Sequence, residues 1–215
     1  MTAKRKEPLR LGVLLSGGGR TLLNILDEIK AGRLEAEVAV VIASRDCKGV
    51  ERAKAGGLDV KLVPHKSFKR SDGTVDIAGY SAAIACHLDE AGVGLVLQAG
   101  FLSLWRIAPQ YEGRVMNIHP ALLPSFGGHG MYGHHVHEAV LAHGCKVSGC
   151  TVHFVTKEYD TGPIIVQRAV PVLEGDDAET LAARVFEQEC IAYPEAIRLF
   201  AAGRLRIDGR VVHIS

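Results

Sequence analysis

The chain has 215 residues, 47% of them hydrophobic and 23% charged, the balance of a globular protein with one sizeable core. Its 25 basic and 24 acidic residues leave a formal net charge of +1, so bulk electrostatics suggest no nucleic-acid or membrane partner. Anionic ligands must be held by a local site, and small-molecule substrates are the expected partners, with the chain a monomer or homodimer.

The N-terminal MTAKRKEPLR is basic, yet no apolar stretch of signal-peptide length follows it. Residues 1–8 therefore read as a disordered tail, residues 9–215 as a single domain, and the expected location is cytoplasmic. Apolar runs at 11–15, 38–43, 60–63, 93–97 and 115–118 have the length of buried strands. Between the first two, Leu22, Ile25, Leu26 and Ile29 recur at helical spacing, and further helices are expected over about 48–56 and 75–91. This alternation predicts an α/β fold: a doubly wound, mostly parallel sheet with helices on both faces. Ligands then bind at the carboxyl ends of the strands.

Ser16-Gly17-Gly18-Gly19-Arg20-Thr21 joins the first strand to the first helix. Glycines let the backbone approach an anion, and the helix N-terminus points its amides at it. A dinucleotide site is disfavoured, because Leu22 replaces the third glycine of the fingerprint and Ser44-Arg45 stands where an acidic ribose ligand belongs. Phosphate binding is favoured over a turn that merely needs positive φ.

Asn117 and His119 are two apart at the end of the fifth apolar run, which turns both side chains to one face. An amide donor beside an imidazole suits a developing oxyanion, as in acyl transfer. Farther on, strands are expected at 147–155 and 164–172 around a polar loop, 156–163, that carries Asp160. A helix over 177–200 contains Pro194, which is expected to kink or divide it. Asp208-Gly209 between alternating runs predicts a C-terminal hairpin. The five cysteines are scattered, odd in number and without a C-x-x-C pair, and are expected to be buried free thiols.

Asn117-Ile-His119-Pro120 with Leu122-Leu-Pro124, and Val152-His-Phe-Val-Thr-Lys-Glu-Tyr-Asp160-Thr-Gly162-Pro163, resemble the two signatures of the folate-dependent formyltransferase family. Ser16-Gly-Gly-Gly19 and Gln98-Ala-Gly-Phe-Leu102 resemble the branch that formylates a phosphorylated glycinamide ribonucleotide, over about residues 10–206. The resemblance implies the formyltransferase fold and transfer of a formyl group from 10-formyltetrahydrofolate to the amine of 5-phosphoribosylglycinamide in purine biosynthesis, without a metal. It implies Asn117, His119 and Asp160 as the catalytic set, with His119 protonated. Gly19, Arg20, Thr21 and Glu189 would hold the ribonucleotide. Leu102, Ser103, Leu104, Trp105 and Asn117 would line the folate pocket. The alternative is a related enzyme with a sugar-nucleotide acceptor, or a formyltetrahydrofolate hydrolase. Ser103, Thr21 and Ile77 depart from the family's usual Arg, Asn and Arg, and bear on the grip of the donor's tail. The histidine-rich stretch 126–138 is longer than the family's equivalent loop. It is expected to be a mobile rim over the site with His135 or His137 near the phosphate, in preference to a metal site.

Overall fold

In the computed structural model, residues 7–215 are described, so most of the tail expected over 1–8 lies outside the described residues. Strands β1 (Leu9–Leu15), β2 (Ala36–Ala43), β3 (Val60–Leu62), β4 (Leu95–Gln98) and β5 (Val115–His119) pair in parallel in the order β3-β2-β1-β4-β5. Strands β6 (Val147–Phe154) and β7 (Ile164–Pro171) extend this sheet antiparallel. The expected hairpin, β8 (Leu205–Asp208) and β9 (Val211–Ile214), adds to the β7 edge.

The sheet is covered on both sides, and the side-chain alternation of β1 accounts for this. Leu11, Val13 and Leu15 join a core with α1 (Arg20–Lys30) and α5 (Ala178–Ala201), while Leu14 joins a second core with α3 (Ile77–Glu90). Each such fully buried Leu or Ile contributes about 1.5–3 kcal/mol over an exposed one. Gly12 faces α3, where a Cβ would come within 2.5 Å of Leu88 Cδ2. The Tyr193 hydroxyl of α5 lies 3.0 Å from Gln98 O and 2.9 Å from Met116 O. That contact seats the helix across β4 and β5, three residues or fewer from the strand ends that carry the site.

Three expectations are corrected. First, Pro194 does not divide α5, which is one continuous 24-residue helix. The ring costs one backbone bond, but Ala192, Tyr193, Pro194, Ala196 and Ile197 are all buried against the sheet, and that packing holds the helix together. Second, the histidine-rich stretch is not all rim: residues from His134 belong to helix α4 (His134–Ala142), and His137 is buried in its inner face. Third, the five cysteines are free but only Cys150 is buried; Cys86 is exposed on α3. No helix among the described residues is long and apolar enough to cross a membrane.

Candidate active site

Because β1, β4 and β5 are parallel neighbours, their carboxyl ends lie along one edge of the sheet, where a doubly wound fold gathers its ligands. Asn117 and His119 project there from β5, in register with His153 and Thr151 of β6. Asp160 comes from the turn between β6 and β7 and has a positive φ of 55°, which Asp tolerates better than most residues because its short polar chain bonds locally. Gly162 makes this turn possible, since a Cβ there would overlap the Phe154 carbonyl oxygen.

Asp160 is the hub. Its Oδ2 accepts the Gly128 amide at 2.9 Å and lies 3.6 Å from His119 Nδ1. Its Oδ1 lies 3.5 Å from Asn117 Nδ2 and 3.6 Å from His153 Nε2. His119 Nε2 donates to the Phe126 carbonyl at 2.8 Å. That carbonyl can only accept, so it assigns the proton to Nε2 and leaves Nδ1 facing the carboxylate. His153 Nδ1 pairs with Phe154 O at 2.9 Å, and its Nε2 lies 3.2 Å from Asn117 Nδ2.

Burial lowers the His119 pKa below the ordinary imidazole value, opposed by the Asp160 charge. Burial alone would raise Asp160; the His153 contact, the His119 charge and the Gly128 amide outweigh it and hold the carboxyl below its usual range. The pair is thus poised as a carboxylate beside an imidazole that protonates less readily than in water.

Asn117, His119 and Asp160 open onto a cavity of about 380 Å³, within the range of small-molecule sites. Leu102, Ser103, Leu104 and Trp105 form one wall, and the loops 128–133 and 156–159 form another. The structure therefore joins the predicted catalytic set with the predicted pocket wall, and part of the expected rim does cover the cavity. His135 is exposed and 3.3 Å from Glu138. Among the described residues no cluster of three His, Cys, Asp or Glu could hold a metal.

Gly19, Arg20, Thr21 and Glu189 lie outside that cavity. Gly19 caps α1 with φ 71° and no side-chain partner. The exposed Arg20 guanidinium stacks 3.8 Å from the Phe186 ring centroid on α5. Glu189, also on α5, is pushed up to about 7 by burial, with Arg20 pulling the other way. The glycine loop is nonetheless tied to the pocket wall: Ser16 N donates to Gly100 O at 3.0 Å, and Leu102 N donates to Ser16 Oγ at 3.0 Å. His153, the Phe126 carbonyl and the Gly128 amide were not among the predicted site residues. His153 lies within the Val152–Pro163 signature, but its part emerges only from the β5–β6 register.

The sequence matches the formyl transferase family over residues 9–197. It is 38% identical over 93% of its length to a chloroplastic phosphoribosylglycinamide formyltransferase of Arabidopsis thaliana, covering 68% of that protein. It is 35% identical to the phosphoribosylglycinamide formyltransferase of Escherichia coli strain K12, covering 93% of this chain and 90% of the relative. The chain spans about two thirds of the length of the plant relatives it matches. Among solved structures, glycinamide ribonucleotide transformylase 1 of Symbiobacterium toebii superposes with a TM-score of 0.86 at 45% identity, over 98% of this chain and 95% of the other.

Proposed function

Because the chain belongs to the formyl transferase family, which uses a folate-derived formyl donor, we propose that it transfers the formyl group of 10-formyltetrahydrofolate to the amine of 5-phosphoribosylglycinamide in de novo purine biosynthesis. The observation that carries this reading is the convergence of Asn117, His119 and Asp160 on one cavity, at the strand edge that also bears the glycine loop. A cytoplasmic enzyme whose residues 9–215 act as one domain completes the reading.

Attack of the amine on the formyl carbon makes a tetrahedral intermediate with negative charge on the former carbonyl oxygen. Asn117 is the hydrogen-bond donor for that oxygen and the positive charge of protonated His119 stabilises it, both held in place before the charge appears. His119 Nε2–H is committed to Phe126 O, so the proton that makes the imidazolium, taken up from solvent before attack, sits on Nδ1. The resulting imidazolium is stabilised by Asp160 at 3.6 Å. Water relays the proton lost from the amine to Asp160, and that same proton passes on to the folate nitrogen as its bond to the formyl carbon breaks, so Asp160 ends as the carboxylate it began. Leu102 to Trp105 and the 156–159 loop suit a flat heterocycle. Gly19, Arg20 and Thr21 at the α1 N-terminus suit the phosphate, with Glu189 toward the glycinamide.

The test supplies 10-formyltetrahydrofolate with 5-phosphoribosylglycinamide, its dephosphorylated form, an amino-sugar nucleotide and no acceptor. Tetrahydrofolate release is expected to be fast only with the phosphorylated glycinamide, since binding of the remote phosphate positions the amine. Preference for the sugar nucleotide, or formate release without an acceptor, would overturn the assignment. Each step uses only Asn117, His119 and Asp160, so exhaustive chelation is expected to leave turnover intact.

A further inference from the structure

Three consecutive carbonyls of the glycine loop are bonded by one neighbouring segment. Ser16 O accepts from Arg45 Nε at 2.6 Å, Gly17 O from the Gly49 amide at 3.0 Å, and Gly18 O from Arg52 Nη1. All three donors lie on residues 45–52, the turn after β2 and the start of α2 (Lys48–Ala55). The approach is close. A Cβ on Gly49 would come within 2.7 Å of Gly17 O, and one on Gly19 within 2.8 Å of the Gly49 Cα. Only glycine at both positions permits it.

In a trans peptide the C=O of one residue and the N–H of the next point in opposite directions. Turning the carbonyls of Ser16, Gly17 and Gly18 toward residues 45–52 therefore turns the amides of Gly17, Gly18 and Gly19 away. Those amides, and the first-turn amides of Arg20, Thr21 and Leu22, have no acceptor among the described residues. Six consecutive donors are left open on one stretch of chain. Without the bonds from residues 45–52 each peptide is free to rotate and present a carbonyl oxygen, which repels an anion.

We infer that Arg45, Gly49 and Arg52 are positioning residues that lock the glycine loop with its amides outward, and so set the preference for a phosphorylated acceptor over the same amine without phosphate. This rests on the phosphate reading of the loop given above. Arg52 is exposed and its guanidinium acts through the loop backbone; the catalytic set is reached from other strands.

The test measures steady-state kinetics of Arg52→Gln, Arg52→Lys and Arg45→Gln with 5-phosphoribosylglycinamide and with its dephosphorylated form, together with inhibition by ribose 5-phosphate. Loss of one charge-assisted bond is expected to raise KM for the phosphorylated acceptor and Ki for ribose 5-phosphate by roughly tenfold. The kcat and the slow turnover of the dephosphorylated acceptor should move less than about twofold, and Arg52→Lys should recover part of the loss. Equal losses on both acceptors, or an unchanged Ki, would overturn the positioning role. A different failure, no preference for phosphate in the unaltered protein, would overturn the anion reading itself. Arg45→Gln repeats the test without touching α2, so a folding defect in one variant does not decide the outcome.

Discussion

His119 is held between opposed influences. Burial disfavours its charged form, and the carboxylate of Asp160 at 3.6 Å favours it. Replacing Asp160 with Asn keeps the shape and removes the carboxylate charge that supports the imidazolium, so the His119 pKa must fall further. We expect kcat to drop by about 10²–10³, KM for the ribonucleotide to stay nearly constant, and the alkaline limb of the pH–rate profile, where His119 loses its proton, to move to lower pH. In a double-mutant cycle with His119→Ala, the combined loss should fall well short of the sum of the single losses, because the two groups act as a unit. Additive losses would contradict the coupling. At this scale the sequence was informative where the chemistry resides in residue types: Asn117, His119 and Asp160 do meet. It was uninformative where backbone atoms act. The Phe126 carbonyl that orients His119 and the Gly128 amide that holds Asp160 carry no signal in residue identity. His153 depends on an antiparallel register with Asn117 that no local pattern specifies.

Among the elements, the turn between β6 and β7 is the least forgiving, because it must deliver Asp160 in a left-handed conformation while Gly162 lies against Phe154 O. Gly162→Ala must displace either the turn or the end of β6. Overpacking of this kind costs roughly 2 kcal/mol, and the displaced turn carries Asp160, so kcat should fall together with the melting temperature. As a contrast, Asp177→Ala removes the capping box of α5, in which Thr180 N bonds Asp177 Oδ1 at 2.8 Å. It should cost about 1 kcal/mol in chemical unfolding with kcat unchanged. If Gly162→Ala behaved like the cap variant, the turn would not be what aims Asp160. Element order and the C-terminal hairpin were legible from periodicity and turn chemistry. The continuity of α5 through Pro194 was not, since it comes from tertiary burial of the residues around the proline. The start of α4 at His134 was hidden by the glycine-rich stretch before it, whose composition signals a loop.

For the whole molecule, the sheet joins two differently built halves, and the helical layer on one face holds two titratable groups of opposite tendency, one buried and one half-buried. His137 on α4 is lowered to about 4 by burial, helped by His134 and His119. Glu189 on α5 is raised to about 7 by burial against the pull of Arg20. The folded state thus keeps both groups neutral over a range in which the unfolded chain charges both. For His137 the unfolded state binds more protons between about pH 4 and 6.5, so its contribution to stability falls as pH drops through that window. For Glu189 the folded state binds more protons between about pH 4.5 and 7, so its contribution falls as pH rises. Between pH 4.5 and 6.5 the two proton counts cancel. Removing either group should unmask the other. Glu189→Gln is expected to lose stability relative to the unaltered protein on going from pH 6.5 to 4.5, and His137→Gln to gain it, each by on the order of 3 kcal/mol across the window. His119 is also lowered by burial, but it is present in all three proteins and drops out of the comparison. Urea unfolding at closely spaced pH values reads the slopes directly, independent of any loss of packing, which shifts a curve without tilting it. Slopes that match the unaltered protein in both variants would mean that the two groups are not held neutral in the folded state.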